Sequence, residues 1–126
     1  MMKDSYAKFI KLIEKSVDRD PWVKDKKVEG YSAEIVKEAK EVIEAIKKKD
    51  NDNLKEELGD VLYDWAHACK LAEEQKLFSM EDVINSASEK LVRRKPYLLE
   101  KKKRPLTTEE TVRIWKEAKA KEKNKV

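Results

Sequence analysis

Glu38 and Glu41 stand three residues apart, and so do Glu57 and Asp60. Within a helix, each pair projects from one face. At about 100° per residue, each pair also falls on a flank of its helix's apolar stripe, beside the core rather than opposite it. If the two helices fold back through a turn near Lys49 to Asp52, a rise of about 1.5 Å per residue brings Glu41 level with Glu57 and Glu38 near Asp60. Four half-buried carboxylates brought together repel one another and lose hydration, which is costly unless protons or a cation compensate. A divalent metal is the natural compensation. Oxygen-only ligands favour magnesium, manganese or calcium over zinc or copper, and a few carboxylates with open positions suit magnesium that carries phosphates. Asp64 extends the row of Glu57 and Asp60 by a turn, as a fifth ligand, a general base or a helix-surface acid. A plainer reading pairs these acids with Lys40, Lys47, Lys48 and Lys55 on wet helix faces.

The elements that must carry these groups follow from apolar periodicity. Phe9, Ile10, Ile13 and Val17, with Met2 and Tyr6 upstream, predict a first helix from about Asp4 to Val17, ended by Asp20-Pro21-Trp22. The stretch Trp22 to Gly30 reads as irregular, and Tyr31-Ser32 as the cap of a second helix reaching about Lys49. Its apolar side holds Ile35, Ala39, Val42, Ile43 and Ile46. Turn formers at Asp50 to Asn53 then predict an antiparallel hairpin with a third helix, about Asn53 to Gln75. Leu58, Val61, Leu62, Trp65, Ala68, Cys69 and Ala72 make that helix's apolar stripe, and Gly59 within it marks close packing or simple tolerance. Ser79 with Asp82 reads as a variant capping box for a fourth helix to about Lys95, stopped at Pro96. Thr107 or Thr108, followed by Glu109 and Glu110, starts a fifth helix through Val112 and Trp115, with fraying expected from about Lys119.

Composition agrees with an all-α fold. Two Gly and three Pro are too few for a fold made of many tight turns. At 126 residues the chain is expected to form one domain over its whole length. The 30 Lys and Arg nearly cancel the 26 Asp and Glu, and a net charge of +4 makes nucleic acid an unfavoured partner. Cys69 is the single cysteine, and no apolar run approaches the roughly 20 residues that span a bilayer. A soluble cytoplasmic protein is the expectation.

Other reactive residues divide more evenly between roles. Lys90, Arg93 and Arg94 gather three cations near the end of the fourth helix, where they suit polyphosphate oxygens and equally a helix C-terminal dipole. Trp65 belongs to the core stripe. His67 is the sole histidine, so the paired Glu-x-x-His motifs of a di-iron bundle are missing from this chain. Cys69 has no partner to activate it as a nucleophile.

The run Lys37-Glu38-Ala39-Lys40-Glu41, then fifteen residues, then Glu57-Leu58-Gly59-Asp60 resembles the Glu-Glu-x-x-Glu and Glu-x-x-Asp motifs of the MazG-type all-α nucleoside triphosphate pyrophosphohydrolases. Asp20-Pro21-Trp22-Val23-Lys24 is similar to that family's Cys-Pro-Trp-Asp-Lys entry. Leu71-Ala72-Glu73-Glu74 to Phe78 looks like the segment after its third helix. Glu89 to Pro96 resembles its Lys-Leu-x-Arg-Arg-His-Pro run, and Trp115 to Lys119 its late Trp-Glu-x-Ile-Lys. Lys37 departs from the first Glu of the pair, as do Asp20, Val23 and Val28-Glu29-Gly30 from the entry pattern.

The resemblance implies magnesium on Glu38, Glu41, Glu57 and Asp60, with manganese expected to substitute at least in part. It further implies cleavage of nucleoside triphosphates to monophosphate and pyrophosphate, in the manner of a nucleotide-pool house-cleaning enzyme. Glu41 or Asp64 would take the proton from water. Lys90, Arg93 and Arg94 would hold phosphates, with Lys24 and Lys119 as further candidates, while Trp22 and Trp115 would stack on a base or close the pocket. Members of the family associate through their helices, so a homodimer or homotetramer is expected. The rival reading is a non-catalytic helical bundle that binds protein or nucleic acid through Lys101 to Arg104 and the basic tail. It accounts for the charge runs but not for the matched acidic pairs.

Overall fold

The structure, a computed structural model, describes residues 1–101 and 105–124. Lys102, Lys103 and Arg104 of the basic segment lie outside the described residues. As expected, the fold is all-α: α1 Met2–Arg19, α2 Pro21–Lys47, α3 Asn51–Glu74, α4 Met80–Arg94 and α5 Thr108–Lys123, with a short 3-10 turn over Pro96–Leu99. The chain divides into two compact units, Met1–Met80 and Glu81–Val126.

Within the first unit, α2 and α3 form the antiparallel hairpin, and α1 packs on both. Asp20 serves two helices at once. Its N–H donates to the Ser16 carbonyl at the end of α1 (3.0 Å), while its Oδ1 accepts from the Trp22 N–H (3.0 Å) to cap α2. With that cap and Pro21 in the first turn, helix begins immediately, because a fixed proline φ is already helical there. The expected irregular stretch from Trp22 to Gly30 is therefore helical, and Tyr31-Ser32 is not a cap. The single interruption is Lys27, at φ 64° and ψ 175°. An L residue at that φ carries roughly 1–3 kcal/mol of strain.

The hairpin turn is built from the residues that the sequence marks for it. Lys49 adopts φ 56°, and the Asp50 N–H reaches back to the Ala45 carbonyl (3.2 Å), which closes the end of α2 in a Schellman motif. The Asp50 Oδ1 then accepts from the Asn53 N–H (3.1 Å) and caps α3. In the second unit, Thr107 caps α5 by accepting from the Glu110 N–H (3.1 Å), and α5 is continuous to Lys123.

The core corrects the apolar stripes. Ile13, Val17, Val23, Tyr31, Ala45, Ala66, Cys69, Leu71, Ala72 and Met80 are buried, whereas Ile43 and Ile46 of α2 and Leu58 and Leu62 of α3 are exposed. The hairpin closes on the acid-bearing flank of both helices and leaves much of the apolar flank open. No side chain meets a Cβ built on Gly59 within 4 Å, so that glycine is tolerated rather than required by packing in this chain. His67 is 0 % exposed and structural. The Tyr63 carbonyl can only accept, so Nδ1 carries the proton (2.9 Å) and Nε2 accepts from the Ser16 hydroxyl (2.9 Å). Its ring stacks on Tyr31 at 4.8 Å, and burial holds it below its ordinary pKa.

Candidate functional site

Helix geometry and the hairpin register bring Glu38 and Glu41 of α2 against Glu57 of α3. One oxygen from each lies within 4.8 Å of the others. Burial first, and then hydrogen bonding with Glu41 and Glu57, pushes the Glu38 carboxyl up to about 8. Hydrogen bonding to Glu41 and burial also raise Glu57, while hydrogen bonds from Glu57 and Glu38 hold Glu41 below its ordinary value. Asp60 is half-buried and stands outside the close set of three, but its charge adds to the rise at Glu38 and Glu57. When all are ionised the cluster has acceptors and no donor. Glu38 Oε2 and Glu57 Oε2 are then buried without a hydrogen-bond partner. A shared proton or a cation is what such oxygens lack, so this donor set fits a hard divalent metal.

A second group adjoins the first and shares Glu38 with it. Glu34, Glu38 and Asp64 also offer oxygens within 4.8 Å of one another. Asp64 is only 5 % exposed, and its carboxyl is raised by burial and by Glu34, with Lys26 opposing. Sequence reasoning missed both Glu34 and Lys26. Glu34 stands one turn before Glu38 on the same face, a spacing that could have found it. Lys26 lay in the stretch read as irregular. Its ammonium sits 3.5 Å from Glu34, 4.6 Å from the Trp22 ring centre and 5.0 Å from that of Tyr31. Lys24 instead pairs with Glu74 (3.5 Å). Burial, Tyr63 and Asp64 push the Tyr31 hydroxyl up to about 12, and it is buried without a partner.

The second unit carries the remaining candidates. Arg94, with a side chain 13 % exposed, donates from Nε and Nη2 to the two oxygens of Glu122 (3.4 and 3.1 Å), and Arg93 Nε donates to the same carboxylate. Both arginines hold Glu122 down at about 2. The Arg94 guanidinium lies 4.7 Å from the Trp115 ring centre, and Lys119 lies 5.3 Å from it. Lys90, Arg94 and Trp115 line one cleft of about 200 Å³. Glu122 was not foreseen, because a lone acid in a Lys-rich helix end gives no local sign of a partner 28 residues away.

Similarity to known proteins follows the same residues. Residues 26–99 match the family model described as the MazG nucleotide pyrophosphohydrolase domain. The chain is 33% identical over 122 residues to the nucleoside triphosphate pyrophosphohydrolase/pyrophosphatase MazG of Thermotoga maritima, covering 95% of this chain and 46% of that protein. It is 33% identical over 78 residues to the nucleoside triphosphate pyrophosphohydrolase of Escherichia coli K12, covering 62% of this chain and 30% of that one. It thus spans less than half the length of these curated relatives. The crystal structure of a mazG-related protein from Thermotoga maritima superposes with a TM-score of 0.81 at 34% identity, covering 90% of this chain and 98% of that one. The matched span contains both acidic pairs, the hairpin that joins them and the Lys90 to Arg94 helix end, and on this ground the chain belongs to the MazG nucleotide pyrophosphohydrolase domain family.

Proposed function

We propose that this chain hydrolyses nucleoside or deoxynucleoside triphosphates to nucleoside monophosphate and pyrophosphate, in a nucleotide-pool house-cleaning role. The observation that carries the reading is the pair of buried, unpartnered oxygens of Glu38 and Glu57 beside Glu41. Glu38, Glu41, Glu57 and Asp60 would hold magnesium, or manganese in its place. When bound, the ion would neutralise phosphate oxygens and lower the pKa of a coordinated water. Glu41, held ionised by its neighbours, suits a permanent ligand, whereas Asp64, buried and raised, suits a carboxylate that accepts a proton from water. Arg93, Arg94 and Lys90 would bind the departing phosphates, with Trp115 and Lys119 beside them and Lys24 as a weaker contributor. Trp22, largely exposed, would stack on a base.

Val36, Ile43, Ile46, Leu58 and Leu62 leave an open apolar flank on the hairpin. A surface of that kind favours association, and the reading includes a homodimer or homotetramer built through it. Among the described residues no helix is long and apolar enough to cross a membrane, and the setting proposed is cytoplasmic.

The deciding experiment is product analysis after incubation with a nucleotide panel and magnesium. Monophosphate and pyrophosphate in equal amounts are the expected products. Release of orthophosphate and nucleoside diphosphate, or no turnover of any triphosphate, would overturn the reading.

A further inference from the structure

Lys26 is the least explained charge in the first unit. Its side chain is only 19 % exposed, and its ammonium is enclosed by the Glu34 carboxylate and the Trp22 and Tyr31 rings. An ammonium withdrawn from water in this way is stable only where fixed negative charge and aromatic faces replace its hydration. The negative charge is there in excess. Glu34, Glu38 and Asp64 converge within 4.8 Å, on the far side of Glu38 from the Glu38, Glu41 and Glu57 set. Two carboxylate triads that share one member could between them take two cations.

Local backbone steers Lys26 into that position. The interruption at Lys27 separates it from the continuous part of α2, and the bare Cα of Gly30 lets its side chain lie across the helix. A Cβ on Gly30 would come within 2.5 Å of Lys26 Cγ, so any larger residue there must displace the lysine.

We propose that Lys26 is a resident monovalent cation beside the Glu34 carboxylate, so that this chain binds one divalent ion fewer than its acidic frame could hold. The inference deepens the metal reading of the same site and rests on it. A lysine supplies one positive charge and no exchangeable water, so the Glu34 side of the frame is neutralised without gaining an activated water. Lys26 is in this sense a positioning residue. It confines the divalent ion to the side of Glu38 that faces Glu41 and Glu57.

The test is a count of bound manganese per chain, read from the loss of the free-ion paramagnetic resonance signal. It is made on the native chain, on Lys26→Gln and on Gly30→Ala, with Lys47→Gln as an exposed-lysine control. Lys26→Gln should bind one more ion than the native chain, and Gly30→Ala should gain in the same direction, while Lys47→Gln matches the native count. Adding Glu34→Gln to Lys26→Gln should remove the extra ion. Equal counts in the native chain and Lys26→Gln would overturn the proposal, as would a native ion that is lost in Glu34→Gln alone. If Lys26→Gln does not fold, Gly30→Ala decides by the same criterion. The native count separately reports on the metal reading. A native count of zero with a gain in Lys26→Gln removes the Glu38, Glu41 and Glu57 site but leaves the role of Lys26 standing, and zero in both removes the two together.

Discussion

At Glu38, burial and the neighbouring carboxyls act in one direction, and the sign of the pH dependence follows. Its folded-state pKa is raised to about 8. Its contribution to stability is therefore fully present below the ordinary carboxylate range and is lost as pH rises towards 8. Without metal, the melting temperature of the native chain should fall relative to that of Glu38→Gln between pH 5 and about pH 8, by several degrees on the usual scaling for a domain of this size. Parallel slopes for the two proteins would contradict the shared-proton account. On the proposed reading, Glu38→Gln, Glu41→Gln, Glu57→Gln and Asp60→Asn each abolish turnover with circular dichroism unchanged, since thinning a crowded acidic cluster should not unfold it. Near-native rates in two of them would remove the metal assignment. Magnesium at about a hundredfold excess over its Kd should stabilise the native chain by about 2.7 kcal/mol. Thermal melts at fixed ionic strength, with magnesium exchanged for sodium, should show that shift in the native chain and not in a Glu41→Gln, Asp60→Asn double variant.

At the scale of elements, α1 is tied to α3 through the Ser16 hydroxyl and His67 Nε2, a bond between residues 51 apart in the chain. Ser16→Ala leaves that buried nitrogen without a donor. Unfolding in urea should show a loss of about 1–3 kcal/mol, more than an exposed serine would cost. A change within about 0.5 kcal/mol would mean that water replaces the hydroxyl. Helices α4 and α5 are joined in the same manner, by Arg93 and Arg94 on Glu122. A substrate phosphate would have to displace that carboxylate. Arg94→Ala should therefore weaken triphosphate binding more than monophosphate binding, by about tenfold for one lost charge-assisted contact. Glu122→Gln should tighten it. Equal losses for both nucleotides in calorimetric titration would return Arg94 to a purely structural role.

Across the whole molecule, the hairpin's apolar flank is the feature of the first unit that bears on association. Leu58 and Leu62 sit on α3 and Ile43 and Ile46 on α2, all exposed, while the acids between the same helices are half-buried. On the proposed reading, a second copy covers this flank. Leu58→Lys with Ile46→Lys should convert the assembly to monomer in sedimentation velocity, because each charge would be buried without a partner. An unchanged sedimentation coefficient, whether that of a monomer or of an oligomer in both proteins, would place association elsewhere or nowhere.

The helices themselves were legible in the residues alone. Apolar periodicity, scarce glycine, the turn formers at Asp50 to Asn53 and the Thr107 cap are local facts, and they locate α1, α3, α4 and α5 to within a few residues. The two acidic pairs and their approximate level across the hairpin were equally readable, because rise per residue and turn length set them. How each helix is rotated about its own axis was not. Periodicity defines an apolar face but not which neighbour that face meets, and here the hairpin closed on its acidic flank instead. Three partnerships also lay beyond local spacing: Lys26 with Glu34, Ser16 with His67, and Arg94 with Glu122. The first depends on a backbone interruption at Lys27, where no glycine or proline announces one. The other two join residues 51 and 28 apart. Only the packed chain decides such contacts, because long-range pairing is selected by the sum of burial, charge and space and not by any one segment's preference.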